Sequence, residues 1–290
     1  MRCKTNLIAL SLVISLLFPG LPARAQGKEP KAAAAVQLIK RTIIKRETGR
    51  LGYGGTITLV GAPQGSISIE GWARSEVELT AEIELQAESE ADLDRLALVN
   101  GFFFEETANH IRILSIGTHD QKYMRRAAKS FSKKLLALPW KIDYRIRVPE
   151  ICDLEVNTGR GPITLSSVEG SLALTATESV AQLAIKAGIV NATVGSGKLD
   201  IKIPVRSWRG SGADIKLAAG EMTVELPPGF NGDIDANILR SGKIEDGYGQ
   251  LQPRQRNSIT PQMMRARAGA GGAIFKFTVA DGTIILKKPD

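Results

Sequence analysis

Apolar residues alternate with polar ones in short runs along the second half of this 290-residue chain, a period of two that is typical of half-buried β-strands. The runs recur at a fixed distance, because those that begin at Leu154, Ile163 and Leu172 are nine residues apart (163 − 154 = 9 and 172 − 163 = 9). The spacing widens only between Leu199 and Ile215. Tight bends favour glycine, which tolerates positive φ, and glycines stand between the runs at Gly161, Gly170, Gly188, Gly197 and Gly220.

A short fixed period of strand and bend predicts either a β-solenoid, in which successive coils stack along one axis, or a meander. Bends of three to five residues recur between these runs without strong Asn-Gly or Asp-Gly hairpin signals, which favours the solenoid. The inward positions are mostly aliphatic and aromatic residues are only 5% of the chain, so aliphatic side chains would stack on their own kind. An antiparallel sandwich is the alternative.

The first half of the chain shows the same alternation, interrupted by one predicted helix. Apolar and polar residues alternate without a break over residues 77–85. Ser89 followed by Asp92 resembles a capping box and predicts that a short helix begins there. Residues 102–106 and 111–116 predict a β-hairpin.

The first 25 residues have the pattern of a cleavable export signal. Arg2 and Lys4 precede an apolar run from Leu7 to Phe18, and Ala23-Arg24-Ala25 matches the small-x-small cleavage pattern. A membrane-spanning helix would need about 20 apolar residues, which is longer than this run. The predicted organisation is a signal peptide at 1–25, a flexible lead at 26–40 and one domain at 41–290.

Seven short segments stand in an order and spacing that resemble one known family. They are Gly65–Trp72, Glu76–Leu79, Tyr144–Pro149, Leu154–Thr158, Gly161–Leu165, Gly271–Phe277 and Gly282–Ile284. In this respect the chain resembles the bacterial putative-adhesin family of single-stranded right-handed β-helix domains, and the last two segments resemble that family's final coil. The resemblance implies an all-β, right-handed β-solenoid over 41–290 and an adhesion-type role, and it brings no catalytic residues.

The bends depart from the family at two places. The family often has Asn-Gly there, whereas this chain has Glu178-Ser179 and Ala187-Gly188.

The sequence lacks the spacings of a catalytic or metal-binding site. His119-Asp120 has no second His or Cys at ligand spacing, and a turn explains the pair more simply. Cys152 is the only cysteine after signal removal, so we predict a small buried apolar residue and no intramolecular disulfide. Gly269-Ala270-Gly271 begins like a dinucleotide-binding motif, but Ile274 replaces its third glycine. We therefore predict no enzyme activity, no cofactor and no metal.

A glycan-active β-helix enzyme is an alternative, since such an enzyme could use carboxylates on neighbouring strands. Lysines are interspersed with the acids, as on an ordinary solvated face. Trp72, Trp140 and Trp208 are predicted to pack over coil ends rather than to stack on sugars. The candidate carboxylates, at outward or bend positions, are Asp200, Asp214, Glu225, Asp233 and Asp235.

Residues 118–140, called the basic segment below, differ from their surroundings and are predicted to be a basic amphipathic insertion. The cations have no acid between them. They stand on a chain whose formal charge of +8 falls to +5 (8 − 3) when the signal takes away three basic residues. The candidate contact for an anionic surface consists of Lys122, Arg125, Arg126, Lys129, Lys133 and Lys134.

Apolar residues in the basic segment predict a stripe on one helix face. They recur at spacings of three or four, at Tyr123, Ala127, Phe131, Leu135 and Leu138. Two interpretations stay open: the stripe caps the solenoid and the cations are merely solvated, or the segment binds anionic lipid or polymer.

These features together predict an exported, non-catalytic binding module that is adhesin-like and periplasmic, cell-surface or secreted. The alternatives are the glycan-active enzyme and an accessory protein of an envelope-stress signalling system. The predicted partners are anionic lipid, glycan or another envelope protein, and nucleic acid is excluded because the protein is exported. The oligomeric state stays open.

We expect export to end with cleavage after Ala25, which leaves Gln26 as the new N-terminus. Mass spectrometry of the protein recovered from the cell-envelope fraction measures this directly. An intact Met1 in that fraction would show that the segment is not a cleaved signal.

Overall fold

The structure is a computed structural model that describes residues 37–127, 131–256 and 258–289. Its 67% strand content confirms the predicted mostly β fold, while the signal peptide and most of the lead lie outside the described residues. The helices are α1 (Glu90–Val99), α2 (Gln121–Ala127) and α3 (Lys133–Leu136). The strands are β1 (Ile39–Arg50), β2 (Thr56–Val60), β3 (Ile67–Trp72), β4 (Glu76–Ala87), β5 (Gly101–Glu106), β6 (His110–Ile116), β7 (Trp140–Pro149), β8 (Asp153–Arg160), β9 (Ile163–Lys202), β10 (Arg209–Glu225), β11 (Gly232–Asp246), β12 (Leu251–Pro253), β13 (Met263–Ala268) and β14 (Ile274–Lys287).

Local sequence signals in the first half produce the expected elements. Every second residue of β4 is buried, as its alternation predicts. Helix α1 begins at Ser89, whose hydroxyl oxygen accepts a hydrogen bond from the backbone N–H of Asp92 at 3.2 Å, and Leu93 and Leu96 are fully buried behind it. The predicted hairpin is confirmed as the antiparallel pair β5–β6.

The central strands pair in parallel, with a step that is twice the sequence period. Strand β8 pairs not with the run at Ile163 but with the run after it, because Leu154 lies opposite Leu172 (172 − 154 = 18). The next step is longer, since Leu199 lies opposite Met222 (222 − 199 = 23). The extra residues fall where the nine-residue spacing widens in the sequence. Runs nine residues apart therefore do not pair where β8 meets β9; runs two periods apart do.

Antiparallel strands flank the parallel ones on both sides, so the sheet is mixed. At one end β1 pairs antiparallel with β4, and β4 with β7; at the other, β11 pairs antiparallel with β13, and β13 with β12. Alternation with period two is the same in parallel and antiparallel strands, which is why the sequence did not distinguish these ends.

Strand β14 is last in sequence but is not at the edge of the sheet. It lies between β10 and β11, with Phe277 opposite Ile215 on one side and Ala236 on the other, and both pairings are parallel. The expectation that residues 271–284 form a final coil therefore needs correction, because β11 lies outside them in the sheet order.

A column of glycines runs across the strands at the bends. Gly220 and Gly282 have φ of 135° and 144°, which residues with a side chain rarely adopt. A Cβ on Gly282 would overlap the carbonyl oxygen of Gly220, and a Cβ on Gly220 would overlap that of Gly197. These positions therefore require glycine on two grounds. Overlap with a neighbouring carbonyl oxygen also occurs at Gly65, Gly161, Gly197 and Gly242.

Ser179 takes one place in this column without interrupting it. Its side chain is buried, and its hydroxyl donates a hydrogen bond to the carbonyl oxygen of Gly161 at 2.8 Å. Its own carbonyl oxygen lies where a Cβ on Gly197 would be. The departure from Asn-Gly at 178–179 thus leaves the stacking intact.

The core is a continuous cluster of buried, mostly aliphatic side chains, as the alternation predicted. Cys152 belongs to it with 1% of its surface exposed, which confirms the prediction of a small buried residue. Burial raises the pKa of the Cys152 thiol to about 12, so this cysteine stays protonated and unreactive at neutral pH.

We expect Val224→Asp to unfold or strongly destabilise the protein, because Val224 is fully buried between neighbouring strands. A carboxylate there would lack a partner and would cost several kcal/mol, a large fraction of the stability of an ordinary domain. Lys216→Asp, at an exposed position of the same strand, is the control and should change the melting temperature little. Thermal unfolding followed by circular dichroism compares the two, and equal losses would contradict the inward placement of Val224.

Candidate functional site

The basic segment connects two strands that lie in different parts of the sheet. It leaves β6, which pairs with β2, and enters β7, which pairs with β3. In the second half of the chain, the corresponding links are bends of a few residues. The segment is therefore a long insertion at a bend, and its start is fixed where the side-chain oxygen of Asn100 accepts a hydrogen bond from the backbone N–H of Thr118 at 2.9 Å.

Helix α2 begins at Asp120, whose carboxylate accepts hydrogen bonds from the backbone N–H groups of Lys122 and Tyr123 at 2.9 and 3.0 Å. The bond from Tyr123 is the main cause that lowers the pKa of Asp120. Beside it, burial lowers the pKa of His119, whose ring lies 5.2 Å from that of Trp140. The His119-Asp120 pair thus starts a helix. Among the described residues no group of three or more His, Cys, Asp or Glu side chains could hold a metal ion.

The apolar side chains of the basic segment pack against the core of the sheet. Met124 and Leu135 are buried, and Phe131 and Leu138 are partly buried against the core cluster. The ring of Tyr123 contacts that of Phe103 on β5, with 6.4 Å between centroids. These contacts favour the interpretation in which the stripe caps the domain.

The expected single helix needs correction, because the stripe belongs to two short helices. Helix α2 carries Tyr123 and ends at Ala127, whose side chain lies outside the described residues, and α3 carries Leu135. Leu138 follows α3.

The cations of the basic segment point to solvent. Lys122, Arg125, Arg126 and Lys133 are exposed, and their side chains make no ion pair with the described residues. Lys134 differs, because its ammonium lies 2.5 Å from the carboxylate of Glu88, and this hydrogen bond raises the pKa of Lys134. Lys129 lies outside the described residues. The structure thus places four of the six predicted cations together on α2 and α3 without an anionic partner there.

The sequence missed two features beside these cations. Leu98, Phe103 and Leu136 are exposed apolar side chains, and Leu98 is 83% exposed just before Asn100, which contacts the segment. A groove of about 580 Å³ also opens between α2 and α3, with Met124 and Phe131 among its lining residues. Its only signal in the sequence is the pair Leu135-Leu136, since adjacent residues of a helix cannot both face the core.

The acids on the central strands form ion pairs with neighbouring lysines. Lys216 lies 3.3 Å from Asp214, and Lys202 lies 3.8 Å from Glu225. Lys198 lies 3.8 Å from Asp200. These pairs agree with a mixed, solvated face.

The acids on β11 have a structural role. Asp233 was expected to face outward, but it is only 8% exposed and accepts hydrogen bonds from Arg267 on β13. These bonds lower the pKa of Asp233. Arg254 contacts both Asp233 and Asp235. The cluster therefore links β11 to β13 and to the residue that follows β12.

The tryptophans pack against the protein, as predicted. The Trp208 indole N–H donates to the carbonyl oxygen of Gly188 at 3.0 Å, and its ring lies 5.2 Å from that of Phe275. The Trp72 N–H donates to the carbonyl oxygen of Glu76, and the Arg74 guanidinium lies 4.7 Å from the centre of the Trp72 ring. Trp140 is partly buried against the core.

No protein-family model matches the chain, and no curated protein matches it. Among solved structures, a putative cell adhesion protein from Clostridium sporogenes is 18% identical, with 85% of this chain and 100% of that chain aligned at a TM-score of 0.44. A putative adhesin from Bacteroides fragilis is 10% identical, with 87% and 97% aligned at a TM-score of 0.34. A putative lipid binding protein from Parabacteroides distasonis is 11% identical, with 85% and 97% aligned at a TM-score of 0.25. The chain is thus distantly similar in structure to bacterial proteins of these descriptions.

We expect Leu135→Ala to destabilise the protein by about 2–4 kcal/mol, because Leu135 is 3% exposed and its removal leaves a cavity under the basic segment. Leu136→Ala, one residue further, is the matched control, and since Leu136 is 39% exposed it should cost less than about 1 kcal/mol. Urea unfolding of both variants gives the comparison. Similar small losses would mean that α3 does not pack on the core.

Proposed function

We propose that this protein is an exported, non-catalytic binding module that contacts anionic membrane surfaces through its basic segment. The observation that carries the proposal is the set of four exposed cations, Lys122, Arg125, Arg126 and Lys133, which have no ion pair with described residues. Elsewhere on the protein many exposed lysines are paired with acids. An unpaired cluster of one sign is what an anionic surface attracts.

The strength of this contact follows from charge. Each Lys or Arg close to an anionic membrane contributes about 1 kcal/mol, so four acting together give weak, reversible attachment. Most of the apolar stripe is packed on the core and does not insert. Because exposed charges are screened beyond about 8 Å at physiological ionic strength, binding should weaken as salt is added.

The finer fold proposal is a right-handed β-solenoid of adhesin type. Its support is the parallel pairing of β8, β9, β10, β14 and β11 at steps of about two sequence periods, with like residues opposite one another. The antiparallel ends then close the stack and protect its edges.

The proposal of export rests on the signal pattern of the first 25 residues. In the part of the chain that the structure describes, no helix has the length and apolarity to span a bilayer. Attachment through surface charge fits an exported protein of this kind.

The proposal that the protein is not an enzyme rests on the state of its candidate groups. Cys152 is buried with a raised pKa, and Asp200, Asp214 and Glu225 each have a lysine within 3.8 Å. A glycosidase would need one carboxyl group with a raised pKa beside a second that stays ionised. Among these three acids, none has a resolved shift in that direction.

Co-sedimentation with vesicles tests the membrane contact. The variant replaces Lys122, Arg125, Arg126 and Lys133 with glutamine, and the control replaces Lys202, Lys216, Lys243 and Lys276, which lose the same total charge elsewhere. On vesicles that contain phosphatidylglycerol at low salt, we expect the variant to bind at least about tenfold more weakly, while the control binds nearly as wild type.

Salt and lipid composition complete this test. Wild-type binding should fall at physiological salt and be absent on pure phosphatidylcholine vesicles. Equal losses in the two variants would show that net charge rather than the basic segment drives binding. Unchanged binding of the first variant, with its fold intact by circular dichroism, would contradict the proposal.

A further inference from the structure

The groove between α2 and α3 combines two kinds of lining. Its volume is about 580 Å³. Met124, Phe131 and Leu136 give it an apolar surface, and Leu136 remains 39% exposed although it neighbours the buried Leu135. Arg125 and Lys133, one from each helix, bring positive charge to the same groove.

No acid is present among the described residues that line this groove, and Arg125 and Lys133 make no ion pair with described residues. The groove therefore offers apolar contact together with uncompensated positive charge. A ligand that complements both features has an anionic head and an apolar body. A neutral apolar peptide would leave the two cations unmatched, and a purely polar anion would leave Leu136 in water.

We propose that this groove binds a single long-chain fatty acid, with its carboxylate between Arg125 and Lys133 and its chain along Met124, Phe131 and Leu136. A guanidinium presents parallel N–H donors that match the two oxygens of a carboxylate, and a lysine adds a second charge. The inference rests on the proposed function, in that the same cations meet an anionic group, and it names a ligand that the segment could take from a membrane.

The size of the groove fits one chain rather than the two chains of a phospholipid. If each methylene takes roughly the 30 Å³ of one water molecule, a 12-carbon chain needs about 360 Å³. That volume is within the groove, whereas twice that volume exceeds it. Burial of each further methylene should tighten binding up to about fourfold until the groove is full.

Isothermal titration with sodium dodecanoate, decanoate and octanoate, each below the concentration at which it forms micelles, measures this dependence on chain length. We expect affinity to rise two- to fourfold per added methylene. Acetate, which has the head alone, should show no measurable binding. Decyl maltoside, which has a chain with a neutral head, should bind at least about tenfold more weakly than decanoate.

Two single variants assign the two halves of the groove. Leu136→Ser should reduce the increase in affinity with chain length, and Ile189→Ser, a change at a 46% exposed aliphatic residue on β9, is its control. Arg125→Gln should weaken dodecanoate at least about tenfold, with Lys276→Gln as the control of equal charge. Thermal unfolding verifies that each variant is folded.

The vesicle assay separates this proposal from the membrane contact. Vesicle binding of Leu136→Ser should stay close to wild type, because that contact is driven by charge. If vesicles bind but dodecanoate does not, or if Leu136→Ser keeps the full dependence on chain length, the groove proposal is wrong and the membrane contact stands. Equal binding of decanoate and decyl maltoside would also overturn it, since the cations would then have no part in recognition.

Discussion

The close approach of backbones at the bends is the constraint on which the rest of the structure depends. In the glycine column, the carbonyl oxygen of one strand occupies the space that a side chain on the next would need, as at Gly220 and Gly282. Because these residues also have φ that side chains disfavour, the column holds successive strands in a fixed register. That register places aliphatic residues opposite aliphatic residues along the core. A fault in the column would shift the register and turn the buried face of a strand toward solvent.

This constraint also determines where additional chain can be accommodated. A strand cannot gain a residue without reversing the faces of the residues that follow, whereas a link between two strands can lengthen. The basic segment is such an enlarged link, between β6 and β7. Its apolar side chains are used for packing on the core, at Met124 and Leu135, and its cations are left to solvent. The insertion therefore adds a charged surface to one end of the domain while the strands below keep their alternation.

Local signals in the sequence were read correctly, and long-range ones were not. The helix start at Ser89, the hairpin β5–β6 and the inward position of Val224 all depend on neighbours within a few residues, so the sequence predicts them. Pairings such as Ile67 with Ile163, or β14 between β10 and β11, join distant segments with the same alternation, and alternation does not identify a partner. In the basic segment the cations and the apolar spacing were visible, but the division into two helices, and hence the groove, depends on contacts with the core.

The position of β14 sets a rule for the order of assembly. A chain that emerges N-terminus first completes β10 and β11 before it completes β14, yet in the finished sheet β14 separates them. Vectorial folding along the chain must therefore halt at β10 until residues 274–287 are available. A product truncated before residue 274 would keep two open sheet edges, on β10 and on β11, and unpaired edges recruit other chains. Complete translation is thus a condition for solubility in this topology, and early termination yields an aggregation-prone species rather than a shorter stable domain.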